Sequence, residues 1–188
     1  MRPQKINDST LLLSLMKVLR NKGYNGASLN EFSIASGLKK ASLYYRFPGG
    51  KEEIAHSVFK TMDAWVMQHI TEVLVKDNKP PKDKLNNVLS NLNQLYDEGK
   101  EICFLRAMSI GDGKKIYAEC IKAIIEQWTK AFCLFGLSLG KTQEEANENA
   151  IFSMVIVQGS LQISNGLNNP THFKNGLQRI RNLYFPEG

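Results

Sequence analysis

Hydrophobic residues recur every three to four positions along almost the whole chain, which is the spacing that places apolar side chains on one face of an α-helix. No segment shows the alternation typical of a strand. The pattern therefore predicts an all-α fold of about nine helices. Their expected ranges are 6–22, 28–36, 39–47, 51–76, 82–98, 101–110, 114–135, 142–165 and 171–184.

The second and third predicted helices are short and are separated by a glycine. Ser28 and Glu31 have the spacing of a capping box, which begins the second helix. Gly37 suits a tight turn because glycine adopts left-handed dihedral angles at little cost. We expect the following apolar residues of these helices to face inward: Leu29, Phe32, Ile34, Ala35, Leu38, Leu43 and Phe47.

The third helix keeps basic and aromatic residues for its outer side and margins, namely Lys39, Lys40, Ser42, Tyr44, Tyr45 and Arg46. Two short helices, a glycine turn and a basic second helix are the layout of a helix-turn-helix DNA reader. The two lysines suit either phosphate contact or guanine readout. For Tyr45, packing in the core is the alternative to a position on the outer side.

Charge is distributed unevenly along the chain. Residues 1–51 contain nine Lys or Arg against Asp8 and Glu31, a net +7, whereas residues 52–188 have 15 basic and 16 acidic residues. The entire excess of +6 thus accompanies the helix-turn-helix, as expected of a DNA-binding module. A chance solvated surface is the alternative.

The run Gly-Leu-Lys-Lys-Ala-Ser-Leu-Tyr-Tyr-Arg-Phe, followed by Pro-Gly-Gly-Lys-Glu-Glu-Ile, resembles the DNA-binding domain of the TetR/AcrR family of transcriptional regulators. The Phe47-Pro48-Gly49-Gly50-Lys51 segment resembles the LmrA-like subgroup of that family. Ala41 stands where the family usually has glycine, and Arg46 where many relatives carry histidine. The motif resemblance covers about residues 6–60, and the rest of the chain agrees with it in helix pattern and length.

The resemblance implies a helix-turn-helix domain over 1–50, supported by the fourth helix to about residue 60, and a ligand-binding and dimerisation domain over 51–188. The long fourth helix joins the two. It further implies that double-stranded operator DNA is contacted by the third helix and its surroundings. The expected DNA-binding residues are Ser28, Lys39, Lys40, Ala41, Ser42, Tyr44, Tyr45, Arg46 and Lys51.

The eighth predicted helix is apolar almost all round from Ile151 to Ile163, so more than one of its faces is expected to be buried. By resemblance, the helices over about 142–165 and 171–184 form a homodimer interface. The alternative is that the eighth helix is central to its own domain. A dimer would place two recognition helices about one DNA turn apart on a palindrome.

The second domain also contains more aromatic and methionine residues than a small core requires. In the family a small-molecule effector binds there, which implies a pocket lined by Trp65, His69, Phe104, Met108, Trp128, Phe132, Met154 and Gln158. Phe135 and Asn165 are further candidates. The alternative for the polar members is a satisfied place in the core or at an interface.

Other functions find little support. His56, His69 and His172 lack metal-ligand spacing, and no catalytic or nucleotide-binding motif occurs, so neither enzymatic activity nor a cofactor is expected. Cys103, Cys120 and Cys133 lack a Cys-x-x-Cys pair and are expected to be free thiols, a redox switch being the alternative. No apolar run has the ~20 residues of a membrane span, and the first ten residues lack a signal pattern, so a cytoplasmic protein is expected.

The sequence thus predicts a dimeric, ligand-responsive transcriptional regulator. Repression, with release by the effector, follows the majority behaviour of the family. A helical DNA-binding or protein-interaction module without an effector, and a non-specific DNA-coating protein, stay open as alternatives.

Overall fold

The computed structural model of the chain describes residues 7–186; the predicted helix start at Ile6 and the basic residues Arg2 and Lys5 lie outside them. Within that range the fold is all-helical, with ten α-helices and no strand. The helices are α1 (Asp8–Gly26), α2 (Leu29–Ser36), α3 (Lys40–Arg46), α4 (Gly50–Val66), α5 (Pro81–Leu95), α6 (Phe104–Met108), α7 (Asp112–Ile116), α8 (Ala118–Ser138), α9 (Gln143–Leu167) and α10 (Thr171–Tyr184). The all-α prediction is confirmed.

Helix α1 begins where the side chain of Asn7 accepts a hydrogen bond from the backbone N–H of Ser9 at 3.2 Å. Its buried face is formed by Leu11, Leu15 and Leu19, which lie four residues apart and are at most 1% exposed. The backbone breaks at Gly23, where φ is 63°, and one further turn follows to Gly26. Gly23 therefore interrupts the helix at the predicted place.

The tenth helix arises because the predicted helix 114–135 is divided at Tyr117. Tyr117 is fully buried, stacks on Phe59 with ring centroids 5.0 Å apart, and donates a hydrogen bond to the carbonyl oxygen of Glu52 at 3.3 Å. The spacing of apolar residues over 114–135 predicts Ile116 on the inner face, but its side chain is 43% exposed. The turn between α7 and α8 places the tyrosine inside and its apolar neighbour outside, so the helical phase read from the sequence is wrong at Ile116.

Helix α4 continues without interruption into a π-helical segment, Met67–Lys76, so the chain stays helical to the predicted end. At that end the N–H of Asp77 donates to the carbonyl oxygen of Glu72 at 3.1 Å, a bond across five residues. Such wide turns are rare and shift the phase of the following side chains. The π-helical segment buries Ile70 and Leu74.

The contacts divide the chain into two compact units. The N-terminal unit comprises 1–63 and 104–121, and the C-terminal unit comprises 64–103 and 122–188. The predicted boundary at residue 50 was read along the chain alone and did not include the returning segment 104–121. No helix in the described part of the chain is long and apolar enough to cross a membrane.

Candidate nucleic-acid interface

Helix α2 begins with a complete capping box. The N–H of Glu31 donates to Ser28 Oγ at 3.3 Å, and the N–H of Ser28 donates to Glu31 Oε2 at 3.0 Å. Lys22 Nζ lies 3.3 Å from Glu31 Oε1. Partial desolvation would raise the pKa of Glu31, but its hydrogen bonds with Lys22 and Ser28 outweigh it and hold the pKa below its usual value. The cap predicted from the sequence is confirmed and carries an ionised carboxylate at neutral pH.

The turn between α2 and α3 is fixed by several hydrogen bonds. Gly37 has the left-handed dihedral angles φ 68° and ψ 6°, as predicted. The hydroxyl of Ser36 donates to the carbonyl oxygen of Phe32 at 2.6 Å and accepts from the N–H of Leu38 at 3.3 Å, while the hydroxyl of Ser33 donates to the carbonyl oxygen of Leu38. Leu38 itself is buried. These bonds set the direction in which α3 leaves the turn.

Helix α3 is held by Leu43, which is fully buried, and presents most of its other residues to solvent. Tyr45 is 88% exposed and Tyr44 49%, so the core-packing alternative for Tyr45 is wrong. The remaining exposed positions are Lys39, Lys40 and Ala41, with Ser42 half-buried. The backbone N–H groups of the first turn of α3 have no side-chain cap from Lys39. One face therefore combines two cations, two phenol hydroxyls and a hydroxyl group, all of which suit contacts to phosphates and base edges.

Arg46 lies at the end of α3 but is engaged within the protein. Its Nη1 lies 2.7 Å from Oδ1 of Asp8, at the start of α1, and its side chain is 30% exposed. The two residues line a groove of about 480 Å³ together with Leu11, Leu12, Phe47 and Ser57. Phe47, expected inside, is half-buried in this groove. No pattern in the sequence indicates the ion pair between Asp8 and Arg46, which lie 38 residues apart.

Lys51 contacts the chain just before the start of α2. Its Nζ donates to the carbonyl oxygen of Ala27, the neighbour of Ser28, at 3.0 Å and lies 4.3 Å from the ring centroid of Tyr24. A cation over an aromatic face is stabilised by the ring quadrupole. The structure thus adds Tyr24, whose contact with Lys51 the sequence did not indicate.

Ile34 does not occupy the place that its hydrophobicity predicted. It is 74% exposed, and Ala35 beside it is exposed as well. The buried residues of α2 are Phe32 and Ser36, four positions apart. Ile34 lies two residues from each, about 200° round the helix, and therefore on the opposite side. In a helix of eight residues the apolar content alone did not fix the buried face.

The charge of the molecule is concentrated in the N-terminal unit. That unit contains 13 Lys or Arg and seven Asp or Glu, whereas the C-terminal unit contains 11 of each. The net +6 of the whole chain therefore belongs to the unit that carries α3. A positive field on this unit attracts a polyanion from solution and retains it less well as salt is added.

The residues predicted for an effector pocket are divided between the two units. Phe104 and Met108 are buried in the N-terminal unit, and the other six belong to the C-terminal unit. Three contacts pair these six residues, and each pair lies on neighbouring turns of its own helical segment. The ring centroids of Trp65 and His69 are 4.9 Å apart, and those of Trp128 and Phe132 are 6.5 Å apart. Gln158 Nε2 lies 3.8 Å from Met154 Sδ. Gln158 Nε2 also donates to the thiol sulphur of the buried Cys103 at 3.3 Å.

Helix α9 has two different apolar faces. Its inner face includes Ala146, Ala150, Val157 and Leu161, all buried. Its outer face exposes apolar residues at helical spacing, each at least half exposed: Ile151, Phe152, Val155, Ile163 and Leu167. The exposed positions of α10 are polar, among them Lys174, Gln178 and Arg181. In the predicted pair of interface helices, α9 alone thus offers an apolar stripe to a partner.

Comparisons with known proteins find transcriptional regulators that are similar to this chain. No family model matches the chain. It is 24% identical over 166 residues to the HTH-type transcriptional regulator LmrA of Bacillus subtilis (strain 168), with 86% of this chain and 87% of that protein covered. It is 22% identical over 159 residues to the uncharacterized HTH-type transcriptional regulator YxaF of the same organism, with 82% of each covered.

Solved structures share the fold over nearly the whole chain. A TetR transcriptional regulator from Legionella pneumophila has a TM-score of 0.78 at 17% identity, covering 95% of this chain and 97% of that one. The TetR-family regulator CifR, a cysteine mutant complexed with 26-bp double-strand operator DNA, has a TM-score of 0.72 at 18% identity, covering 96% and 98%. The chain therefore has the fold of TetR-family transcriptional regulators.

Proposed function

We propose that this protein is a DNA-binding transcriptional regulator that inserts α3 into the major groove of a palindromic operator. The observation that carries this proposal is the exposed basic and aromatic face of α3, fixed by the Gly37 turn within the unit that holds the entire net charge. The resemblance to regulators in sequence and the shared TetR fold support it. The CifR complex shows that a protein of this fold is compatible with bound operator DNA.

Each predicted contact has a chemical role in this proposal. Lys39 and Lys40 neutralise phosphates or read guanine at the first turn of α3, where backbone N–H groups also favour anions. Tyr44 and Tyr45 offer hydroxyl groups on rigid rings, and Ser42 and Ala41 border the groove. Ser28, Lys51 and Arg46 lie at the margins, toward the DNA backbone. The Pro48-Gly49-Gly50 insertion before Lys51 supports placement in the LmrA-like subgroup.

A homodimer follows from the geometry of a palindrome and from the outer face of α9. A large exposed apolar stripe on a regulator's helix is unfavourable in water and marks an interaction surface. Val155 and Phe152 are each 54% exposed and lie near the middle of α9. We assign the dimer interface to α9, with the polar residues of α10 at its rim. This assembly acts in the cytoplasm, as a repressor, by covering the operator.

An effector site in the C-terminal domain completes the proposal. The indole N–H of Trp128 is buried and has no acceptor among the described residues, which a bound small molecule with an acceptor atom would supply. Binding that favours one spacing of the two α3 helices would release the operator by population shift. The rival function is a helical DNA-binding module without an effector response, in which Trp128 is structural only.

Salt-dependent binding tests the proposal. The purified protein is titrated against its own upstream intergenic DNA and against a scrambled duplex of equal length. We expect the affinity for the native fragment to be at least ~10³-fold higher than that for the scrambled duplex, as it is for a specific site over non-specific DNA. Equal affinity for both duplexes would instead indicate a non-specific DNA-coating protein, and no binding at low salt would refute the helix-turn-helix interpretation.

Variants assign the result to α3. Lys40→Ala and Tyr44→Ala should each weaken binding to the native fragment, and Lys40→Ala should also reduce the slope of log K against log salt by ~0.9 if it neutralises one phosphate. Lys60→Ala is the matched control, since it removes the same charge from an exposed position in the middle of α4. Circular dichroism and sedimentation verify that every variant is folded and has the oligomeric state of the parent.

A further inference from the structure

We propose that Ile34 is a specificity-determining residue that packs against a thymine methyl group in the major groove. The inference rests on the proposed function, because it requires that α3 enters that groove. It adds a reader outside α3, at the end of α2. It also adds a large apolar side chain to a set of predicted contacts that are charged or polar apart from Ala41.

The exposure of Ile34 has no explanation in the stability of α2. The side chain is 74% exposed, on the side of the helix opposite to Phe32 and Ser36. A β-branched residue also forms a helix less readily than Lys, Glu or Ala at a solvent-facing position. Neither burial in the N-terminal unit nor helix propensity therefore accounts for an isoleucine at this position.

The hydrogen bonds of the turn hold the end of α2, where Ile34 lies, against the residues that lead into α3. The hydroxyl of Ser33, the residue before Ile34, donates to the carbonyl oxygen of Leu38, the residue before Lys39. The N–H of Gly37 donates to the carbonyl oxygen of Ile34 at 3.4 Å, which keeps Ile34 in the last turn of α2.

The charges near Ile34 in the sequence indicate which class of molecule it contacts. Lys39 and Lys40 are exposed just beyond the turn, in a unit with a net charge of +6. Cations bordering an apolar residue suit a polyanion that carries an apolar group, rather than an apolar protein surface. The C5-methyl of thymine is the apolar group that B-DNA presents in its major groove. Isoleucine cannot donate or accept a hydrogen bond, so this methyl is the base feature that it can read.

Replacing thymine by uracil removes every such methyl while leaving the hydrogen-bonding edges intact. The native upstream fragment is amplified with dTTP or with dUTP, and the affinity of the parent protein, Ile34→Ala and Ile34→Val is measured for both products. We expect the parent protein to bind the uracil fragment about tenfold more weakly, and Ile34→Ala to lose only about threefold. Ile34→Val keeps two methyl groups and should keep most of the parent's discrimination.

Leu13→Ala is the matched control, because Leu13 is a 56% exposed apolar residue on α1 of the same unit. This variant should lose as much affinity for the uracil fragment as the parent protein does. The inference is overturned if Ile34→Ala discriminates thymine from uracil as strongly as the parent, or if the parent binds both products equally. If the parent protein still prefers native over scrambled thymine DNA, the proposed function stands and only the inference about Ile34 is lost. If it has no such preference, both the inference and the proposed function are overturned.

Discussion

At the residue scale, the DNA contact proposed for Arg46 would compete with the partner that this residue has within the protein. Its guanidinium lies 2.7 Å from Asp8, and both are near the surface, where an ion pair contributes only about 0–1 kcal/mol. Such a pair is weak enough to be exchanged for a phosphate. Arg46 can therefore be engaged with Asp8 in the free protein and with the DNA backbone in the complex.

The change Asp8→Asn tests this exchange. We expect the free energy of unfolding to change by less than about 1 kcal/mol, because an exposed ion pair is lost. DNA binding should strengthen, since Arg46 is released and a negative charge is removed, and the salt slope should rise by up to ~0.9. Asp63→Asn removes a charge from an exposed position on α4 and should change binding less. Weaker binding by Asp8→Asn would show that the pair positions α3 instead.

Tyr184 makes stability depend on pH in the alkaline range. It is buried, and burial raises the pKa of its hydroxyl to about 12 from an ordinary value of 10.0. The charged phenolate is therefore disfavoured in the folded state. The contribution of the neutral hydroxyl to the free energy of unfolding is fully present below pH ~10 and is lost as the pH rises toward 12.

Urea unfolding between pH 8 and 11.5 measures this loss. In the parent protein the free energy of unfolding should fall above pH ~10, with at most about 3 kcal/mol attributable to Tyr184. Tyr184→Phe should be less pH-dependent in that range, while Tyr45→Phe, at an 88% exposed position, should follow the parent. Parallel pH profiles for the parent and Tyr184→Phe would contradict the assignment.

At the scale of elements, the turn between α2 and α3 is where backbone conformation limits the sequence. Gly37 has φ 68°, and a Cβ added there would meet no atom within 4 Å. The penalty for alanine is therefore conformational rather than steric, about 1 kcal/mol. Asparagine enters the left-handed region more readily than alanine and is the matched replacement.

Gly37→Ala should thus reduce the free energy of unfolding by about 1 kcal/mol, and Gly37→Asn by less. Because the turn also sets the direction of α3, we expect specific DNA binding to fall further in Gly37→Ala than the loss of stability explains. Chemical denaturation and operator titration on the same samples separate the two effects. Equal stability of the alanine and asparagine variants would contradict a conformational origin.

At the scale of the whole molecule, the dimer interface proposed on the outer face of α9 is expected to decide whether two α3 helices act together. Val155→Lys places a cation on that face, in the middle of α9, where burial of an unpaired charge would be costly. We expect the dimer to dissociate, and operator binding to weaken strongly because each N-terminal unit then binds DNA alone. Analytical ultracentrifugation at micromolar concentration and the operator titration measure both effects.

Ile110→Lys is the control for that experiment, because Ile110 is 64% exposed in the N-terminal unit, away from α9 in sequence. It makes the same change in charge and polarity and should stay dimeric. A dimer that survives Val155→Lys but not Ile110→Lys would move the interface from α9 to the N-terminal unit.

The sequence by itself determined the features that depend on neighbouring residues. Helix content follows from periodicity, the α2 start from the Ser28 and Glu31 spacing, the turn from Gly37, and the basic face of α3 from its composition. Each of these is a local property, set by hydrogen bonds or dihedral angles within a few residues. The charge asymmetry of the chain likewise requires no tertiary information.

Tertiary structure alone decided the features that join distant residues or choose between faces. Tyr117 divides a predicted helix because it packs on Phe59, and Arg46 meets Asp8 across 38 residues. Ile34 is outside because Phe32 and Ser36 already bury the other side of α2. Burial depends on which surfaces come together, and the hydrophobicity of one residue does not specify whether its partner is the protein's own core or another molecule.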